Sequence, residues 1–143
     1  MRGVTNVASL FYSTKLIVMA TKTISPAEFQ STLAGFIGTF KYHIHQLLQL
    51  SMNLTDGCDY VRNEAKAYWL FDAILSHQLT STVNKQPFQV WRLKKQKDDT
   101  WLLHCEDGNK NMLATQHIEY SDFLIDEITI WLVDGVAMLP TEY

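Results

Sequence analysis

The spacing of apolar side chains changes from helical to alternating about halfway along the chain. In the first half, apolar side chains recur at helical spacing at Phe29, Leu33, Phe36 and Phe40. Just before them, Ser25 can cap a helix, Pro26 suits its first turn, and Glu28 can reach back to the cap. We therefore expect a helix from residue 25 to about residue 35, then a turn and a short helix over residues 36–50.

A second helix is predicted over residues 58–77. Thr55, Asp56 and Gly57 interrupt the chain before it and offer capping oxygens. A helical wheel places one broad face on Val61, Ala65, Tyr68, Trp69 and Ala73. Between residues 67 and 75 nearly every side of this helix is apolar, so we expect that part to be surrounded by protein.

Alternation with a period of two residues begins after residue 81 and indicates strands. Five strands are predicted, over residues 88–95, 101–106, 112–120, 128–133 and 136–139. Asp98–Asp99, Asp107–Gly108 and Asp134–Gly135 supply turns between them. The predicted fold class is α+β, in which N-terminal helices within residues 25–78 pack on one face of a four- to five-stranded antiparallel meander sheet within residues 86–140.

Composition places this fold in one domain over residues 25–143. The chain has 143 residues, of which 47% are apolar, enough for a single core. Residues 1–24 lack acidic side chains and contain only a short apolar run, so we interpret them as a poorly ordered or appended arm. The net charge of −3 gives no general attraction to nucleic acid or membranes. Cys58 and Cys105 form no close pair, which favours reduced thiols in the cytoplasm.

Asp72 is the candidate for unusual chemistry, because it falls between Tyr68 and Trp69 on the apolar side of the second helix. A carboxylate there must be paired, hydrogen-bonded or protonated. One interpretation is a small ligand-binding pocket, or an active site, at these three residues. The other is a structural acceptor for a tyrosine hydroxyl, an indole N–H or Arg92.

Metal and nucleophilic sites are not predicted. His43 and His45 form a His-x-His pair, but the chain has no second close pair of ligands of the kind that structural zinc sites use. Neither cysteine lies in a recognisable catalytic context, and no Gly-x-Ser-x-Gly motif or phosphate-binding loop is present. We therefore predict no catalytic residue and no cofactor, and we do not expect an enzyme.

The segment Trp91–Lys97 is the one basic run that contains an aromatic residue, and it offers a nucleic-acid-binding alternative. Strand alternation sends Arg92 and Lys94 to one face and Lys95 and Lys97 to the other, which divides the charge. Nucleic acid is therefore not the expected partner.

A series of short segments also carries a resemblance. In chain order they are Thr55–Gly57, Ala67–Ile74, Phe88–Leu93, Glu119–Phe123 and Leu139–Tyr143. Together they resemble an uncharacterised bacterial domain family associated with plasmids, phages and other mobile elements, from about Phe29 to the C-terminus. The resemblance implies one complete domain in a mobile-element context, and it implies no activity, cofactor or catalytic residue.

The expected function follows from strands that are apolar on both faces. Trp91 and Leu93 share one face of their strand, and Trp131 belongs to another strand whose two faces are both apolar. Two helices can cover only one side of a small sheet, so the other side would expose large apolar side chains. These three residues are the candidate interface of a cytoplasmic, non-enzymatic interaction module that contacts a protein partner or a second copy, and not a membrane.

Overall fold

The computed structural model describes residues 24–143. In chain order its elements are α1 (Pro26–Leu33), β1 (His43–Leu47), β2 (Leu50–Leu54), α2 (Asp56–Glu64), α3 (Tyr68–His77), α4 (Ser81–Asn84), β3 (Phe88–Lys95), β4 (Trp101–Glu106), β5 (Met112–Ile118), β6 (Glu127–Val133), β7 (Val136–Met138) and a short 3₁₀ turn (Pro140–Glu142). The predicted arm lies outside the described residues except for its last residue, Ile24, which packs against the core.

The strands form one sheet in the order β1-β2-β7-β6-β3-β4-β5. All neighbours are antiparallel except β2 and β7, which run parallel. The mixed α+β class and the largely antiparallel sheet are confirmed, but the prediction of four to five strands in a meander is wrong. The sheet has seven strands in its described part, and β3 pairs with β6 although β4 and β5 lie between them in sequence.

The predicted helix within residues 36–50 is wrong, because this segment forms the β1–β2 hairpin instead. His45 and Met52 are paired across that hairpin and face the core on the same side, and a two-residue turn with Leu48 at a positive φ of 55° joins the strands. Polar and apolar residues do not alternate regularly in this segment, because its inward-facing positions include a histidine, His45, as well as a methionine, Met52. The parallel pairing of β2 with β7, more than eighty residues later in the chain, makes the hairpin part of the sheet.

The single helix predicted over residues 58–77 is divided into α2 and α3. Lys66 adopts a left-handed conformation with a φ of 50°, and the chain bends there. The neighbouring Glu64, Ala65 and Ala67 are good helix formers, so local propensity contains no signal for the break. The bend lets both short helices pack on the sheet, and tertiary packing overrides the propensity.

Burial separates the two faces of the sheet. Trp91, Leu93 and Ile130 belong to a core cluster that also contains helix side chains. Side chains that point to the same face from the neighbouring strands, such as Leu103 and Ile128, belong to it too. The opposite side chains are mostly half-buried or exposed. We call this side the uncovered face, because none of its side chains belongs to the core cluster of residues 24–143, although Val90 is itself buried. It is defined by Phe88, Val90, Arg92, Glu106, Thr129, Trp131 and Val133. No helix in residues 24–143 is both long enough and apolar enough to cross a bilayer.

Candidate functional site

Asp72 pairs with a histidine from the hairpin. Its Oδ1 lies 2.8 Å from Nε2 of His45, which is almost completely buried, whereas the Asp72 side chain itself is 41% exposed. The aromatic rings of Tyr68 and Phe71 lie beside the imidazole, with centroids 5.9 and 5.8 Å away. Asp72 therefore links α3 to β1. Its partner is not a tyrosine hydroxyl, an indole N–H or Arg92, the three groups expected from the sequence, but a histidine.

Arg62 of α2 joins the same network. One guanidinium nitrogen lies 3.1 Å from His45 Nδ1 and donates at 3.1 Å to the carbonyl of Ile44, and the other donates to Asp59 at 2.8 Å. The guanidinium also lies over the Tyr68 ring, 4.9 Å from its centroid. One side chain thus holds α2, α3 and β1 together through charge-assisted hydrogen bonds and a cation–π contact.

The arrangement assigns the protons of His45. A guanidinium can only donate, so Nδ1 must accept from Arg62 and Nε2 must carry the hydrogen that points to Asp72. Both ring nitrogens are engaged within the protein, and a general base would need one of them free to take a proton from substrate. The five most pronounced depressions on the surface of residues 24–143 are lined by other residues than Tyr68, Trp69 and Asp72. What the network does in the described chain is to link α2, α3 and β1.

The second histidine of the pair makes its own contacts. His43 Nε2 lies 2.8 Å from Asp56 Oδ1, and the other Asp56 oxygen accepts from the Phe40 amide at 2.8 Å. The hydrogen bond from Phe40, followed by that from His43, lowers the pKa of Asp56. On a strand His43 and His45 share a face, yet residues 24–143 contain no group of three His, Cys, Asp or Glu side chains placed to hold a metal.

A second polar cluster, the Glu142 clasp, joins the C-terminus to the start of α2. Glu142 Oε1 accepts from the Thr55 hydroxyl at 2.6 Å and from the Leu139 amide at 2.9 Å, and its Oε2 accepts from the Gly57 amide at 2.9 Å. Gly57 is required, because a Cβ there would lie 2.6 Å from Glu142 Oε1 and 2.7 Å from Leu139 Cδ1. Two segments that are eighty residues apart in sequence thus meet at one carboxylate.

The uncovered face has an aromatic cluster at its centre. Trp131 packs edge-on against Phe88 and against Tyr143, with ring centroids 5.2 and 5.3 Å apart. Trp131 is half-buried, and Tyr143 is 76% exposed. The C-terminal tyrosine thus extends this cluster, which lies on the side of the sheet away from the helical core.

Of the three predicted interface residues, only Trp131 lies on this face. Trp91 and Leu93 are each 1% exposed and point into the helical core, so their assignment to an interface is corrected. The indole N–H of Trp91 donates to Gln89 at 2.9 Å, and its ring lies 5.4 Å from that of His77. Alternation places Trp91 and Leu93 opposite Phe88 and Val90 on β3, but only the pairing of Val90 with Trp131 shows which of these faces Trp131 shares, and only the packing shows which face the helices cover.

Beside the aromatic cluster lies an open depression of about 640 Å³. It is lined by three apolar side chains, Phe88, Val90 and Trp131, and by three charged ones, Arg92, Glu106 and Lys110. Glu106 accepts from Arg92 at 2.7 Å and lies 3.1 Å from His104 Nε2, so its charge is compensated internally. Lys110 is exposed and forms no ion pair with another residue of the described chain.

Comparison of the chain with protein families identifies its family. Residues 27–143 match the profile of a family of unknown function, DUF6876. The chain belongs to the DUF6876 family. The match covers α1 to the C-terminus, and therefore includes the Asp72 network, the Glu142 clasp and the uncovered face. Comparison with curated proteins and with solved structures returned no significant match.

The two thiols of this DUF6876 domain are buried and protonated. Burial, assisted by the nearby Glu142 carboxylate, raises the pKa of Cys58 far above its usual range. Burial, followed by the charges of Glu106 and Asp107, raises the pKa of Cys105 to about 12. A thiol nucleophile needs a lowered pKa and access to solvent, and neither cysteine has them.

We expect both thiols to be unreactive toward an aromatic disulfide reagent at mildly alkaline pH in the native protein, and both to react in urea. Because the folded pKa values are raised, the stabilisation from the neutral thiols is complete below the unfolded value of about 8.5 and is lost as pH rises beyond it. Titration of free thiols with and without denaturant checks this. A native cysteine that reacts at the rate of a small thiol would contradict it.

The two polar clusters of this domain include residues that the sequence alone does not connect. From the sequence His45 is only a candidate metal ligand, and no role is predicted for Arg62 or Glu142. One signal was available for His45, because a His-x-His pair places both rings on one face if the segment is a strand. No local signal exists for Arg62 or Glu142, since their partners are distant in sequence.

Proposed function

We propose that this domain is a non-enzymatic protein-interaction module that binds a partner through the uncovered face of its sheet. The observation that carries the proposal is the cluster of Trp131, Phe88 and Tyr143, which lies outside the main core beside an open depression. Tryptophan and tyrosine side chains are enriched among the residues that dominate binding energy in protein interfaces.

The charges around the depression specify the partner further. Glu106 is already neutralised by Arg92, whereas Lys110 has all of its donors available to a partner, and Arg92 has donors beyond its one bond to Glu106. The complementary surface is an apolar or aromatic anchor side chain that fills the depression, next to a carboxylate that pairs with Lys110. The resemblance to bacterial mobile-element domains suggests where to seek this partner, among the products of neighbouring reading frames in the cytoplasm of the host.

Site-specific photocrosslinking tests the proposal. A photoreactive phenylalanine analogue at position 131 is expected to capture one discrete protein, and the same analogue at Tyr120, which is also aromatic and exposed, is not. With the captured protein purified, Trp131→Ala is expected to weaken binding about 30-fold or more, as for a central hot-spot residue. Thr129→Arg, on the same face, is expected to weaken binding without removing any packing.

Equal capture at positions 131 and 120 would show that the crosslinks are unspecific. Binding that survives both Trp131→Ala and Thr129→Arg in folded protein would reject the uncovered face as the binding surface. Circular dichroism of each variant establishes that the fold is intact. A partner that proves to be nucleic acid, with affinity that falls steeply with salt, would replace the proposal by the nucleic-acid alternative.

A further inference from the structure

Strand β1 forms one free edge of the sheet, and large apolar side chains are exposed on β1 and on the segments that precede and follow it. The exposed members of this edge, which we call the β1 edge, are Ile37, Phe40, Tyr42, Ile44 and Leu48. They represent half of the exposed large apolar side chains in residues 24–143. Natural proteins usually protect such an edge with lysine, proline or a bulge. β1 itself contains none of these in its five continuous pairs with β2, and Lys41 lies two residues before it.

The backbone groups that point outward from β1 can be identified from its neighbours. The amides of Asn53 and Thr55 donate to carbonyls of Gly135 and Ala137, on the side away from β1. Consecutive residues of a strand direct their backbone groups to opposite sides, so Met52 faces β1, where it pairs with His45.

Ile44 and Gln46 therefore direct their N–H and C=O groups to the free edge. Arg62 donates to the Ile44 carbonyl at 3.1 Å, and a carbonyl oxygen has a second lone pair for another donor. No other hydrogen bond to these outward groups exists within residues 24–143. The edge can thus accept a further strand with little rearrangement.

The opposite edge of the sheet is less suited to pairing. The register between β4 and β5 shifts at Cys105 and Glu106, and such a bulge twists an edge away from regular pairing. The exposed large apolar side chains near it are Met112, the first residue of β5, and Tyr120, two residues after its end. Substitutions on the β1 edge and on the β5 edge are therefore expected to have different effects on strand pairing between copies.

We propose that two copies of this chain pair through the β1 edge, strand against strand, about a two-fold axis perpendicular to the sheet. A second copy fits because the edge can pair with itself: Ile44 and Gln46 offer outward backbone groups, and apolar side chains lie on β1 and on both sides of it in sequence. If pairing covers all five exposed side chains, the two aromatic and three aliphatic groups offer on the order of 700 Å² per copy, close to the roughly 800 Å² per partner of a standard stable interface.

Pairing through the β1 edge fixes how the two copies are oriented. Antiparallel pairing about that axis continues the sheet from one copy into the other, so the helices of both copies lie on one side. The two uncovered faces then lie together on the other side. A dimer would present its two binding faces in the same direction, which favours partners with two copies of the recognised segment. The dimer itself does not depend on the proposed function.

Light scattering and sedimentation of the full chain over a range of concentrations test the proposal. We expect a mass of twice 16.5 kDa at high concentration. Ile44→Lys, which places two like charges near the two-fold axis, is expected to raise the dissociation constant at least tenfold. Met112→Lys, the matched change on the β5 edge, is expected to leave the constant unchanged.

A proline at position 46 supplies a second test that does not depend on adding charge. Proline is tolerated on an edge where the N–H faces solvent, so Gln46→Pro is expected to keep the monomer folded and to abolish dimerisation. Amide hydrogen exchange of Ile44 and Gln46 in the wild type is expected to slow as concentration rises.

A single-chain mass at every concentration would overturn the proposal. So would a dimer that is insensitive to Ile44→Lys and Gln46→Pro, or one that Met112→Lys weakens equally. A dimer abolished by Trp131→Ala instead would show that copies associate through the uncovered face. If the β1-edge dimer forms but photocrosslinking at position 131 captures no partner, only the proposed function is rejected, because the two tests use different surfaces.

Discussion

Replacing Glu142 with alanine is expected to lower the free energy of unfolding by about 2–4 kcal/mol. The substitution leaves the hydroxyl of Thr55 and the amides of Gly57 and Leu139 without their acceptor. All three groups are partly buried, so water replaces the carboxylate incompletely. Urea unfolding followed by tryptophan fluorescence measures the loss, with an unchanged slope as the sign that the native fold is retained.

The control is Glu119→Ala, since the Glu119 side chain is 88% exposed and its nearest cation, His117, is 3.8 Å away. We expect that variant to change stability by less than about 0.5 kcal/mol. Gly57→Ala is expected to be destabilising in the wild type and less so in the Glu142→Ala background, because two of the three close contacts of the new Cβ are with the Glu142 carboxyl group and are then gone. Equal losses for Glu142→Ala and Glu119→Ala would show that the clasp has no structural role.

Arg62→Met is expected to lower the free energy of unfolding by about 2–3 kcal/mol. Methionine keeps part of the apolar stem, but it removes the donors to His45, to the Ile44 carbonyl and to Asp59. The remaining Asp59 carboxylate is only partly exposed, so the loss exceeds that for an ordinary surface ion pair. The same urea titration measures it.

Arg62→Lys separates charge from geometry. One ammonium group cannot reach all three acceptors that the planar guanidinium serves, so less than half of the lost stability is expected to return. Lys97→Met is the matched control, because Lys97 is exposed and has no ion pair within the described chain. Full rescue by lysine would mean that the net charge of Arg62, and not its hydrogen-bond geometry, stabilises the three elements.

The local parts of this fold could be predicted because they depend on neighbouring residues. The Ser25 side chain caps α1 through the Glu28 amide at 3.1 Å, as its position before Pro26 indicated. Alternation located β3, β4, β5, β6 and β7 within two residues of their ends, because side chains on a strand change face at every step. The need of Asp72 for a polar partner also followed from its place on an apolar helix face.

The identity of that partner could not be predicted, since His45 lies in a segment whose sequence favours neither helix nor strand strongly. Its strand exists because β2 pairs in parallel with β7 at the far end of the chain. The break between α2 and α3 at Lys66 likewise has no local cause and results from packing on the sheet.

The sequence by itself thus determined the cap of the first helix, the later strands and, within β3, the separation of Trp91 and Leu93 from Phe88 and Val90 onto opposite faces. Only the tertiary structure decided that the helices cover the Trp91 face, that Glu142 and Arg62 join distant segments, and that β1 is a free edge. The physical reason is that side-chain periodicity is encoded within a few residues. Strand order and layer coverage depend instead on contacts between segments that are far apart in the chain.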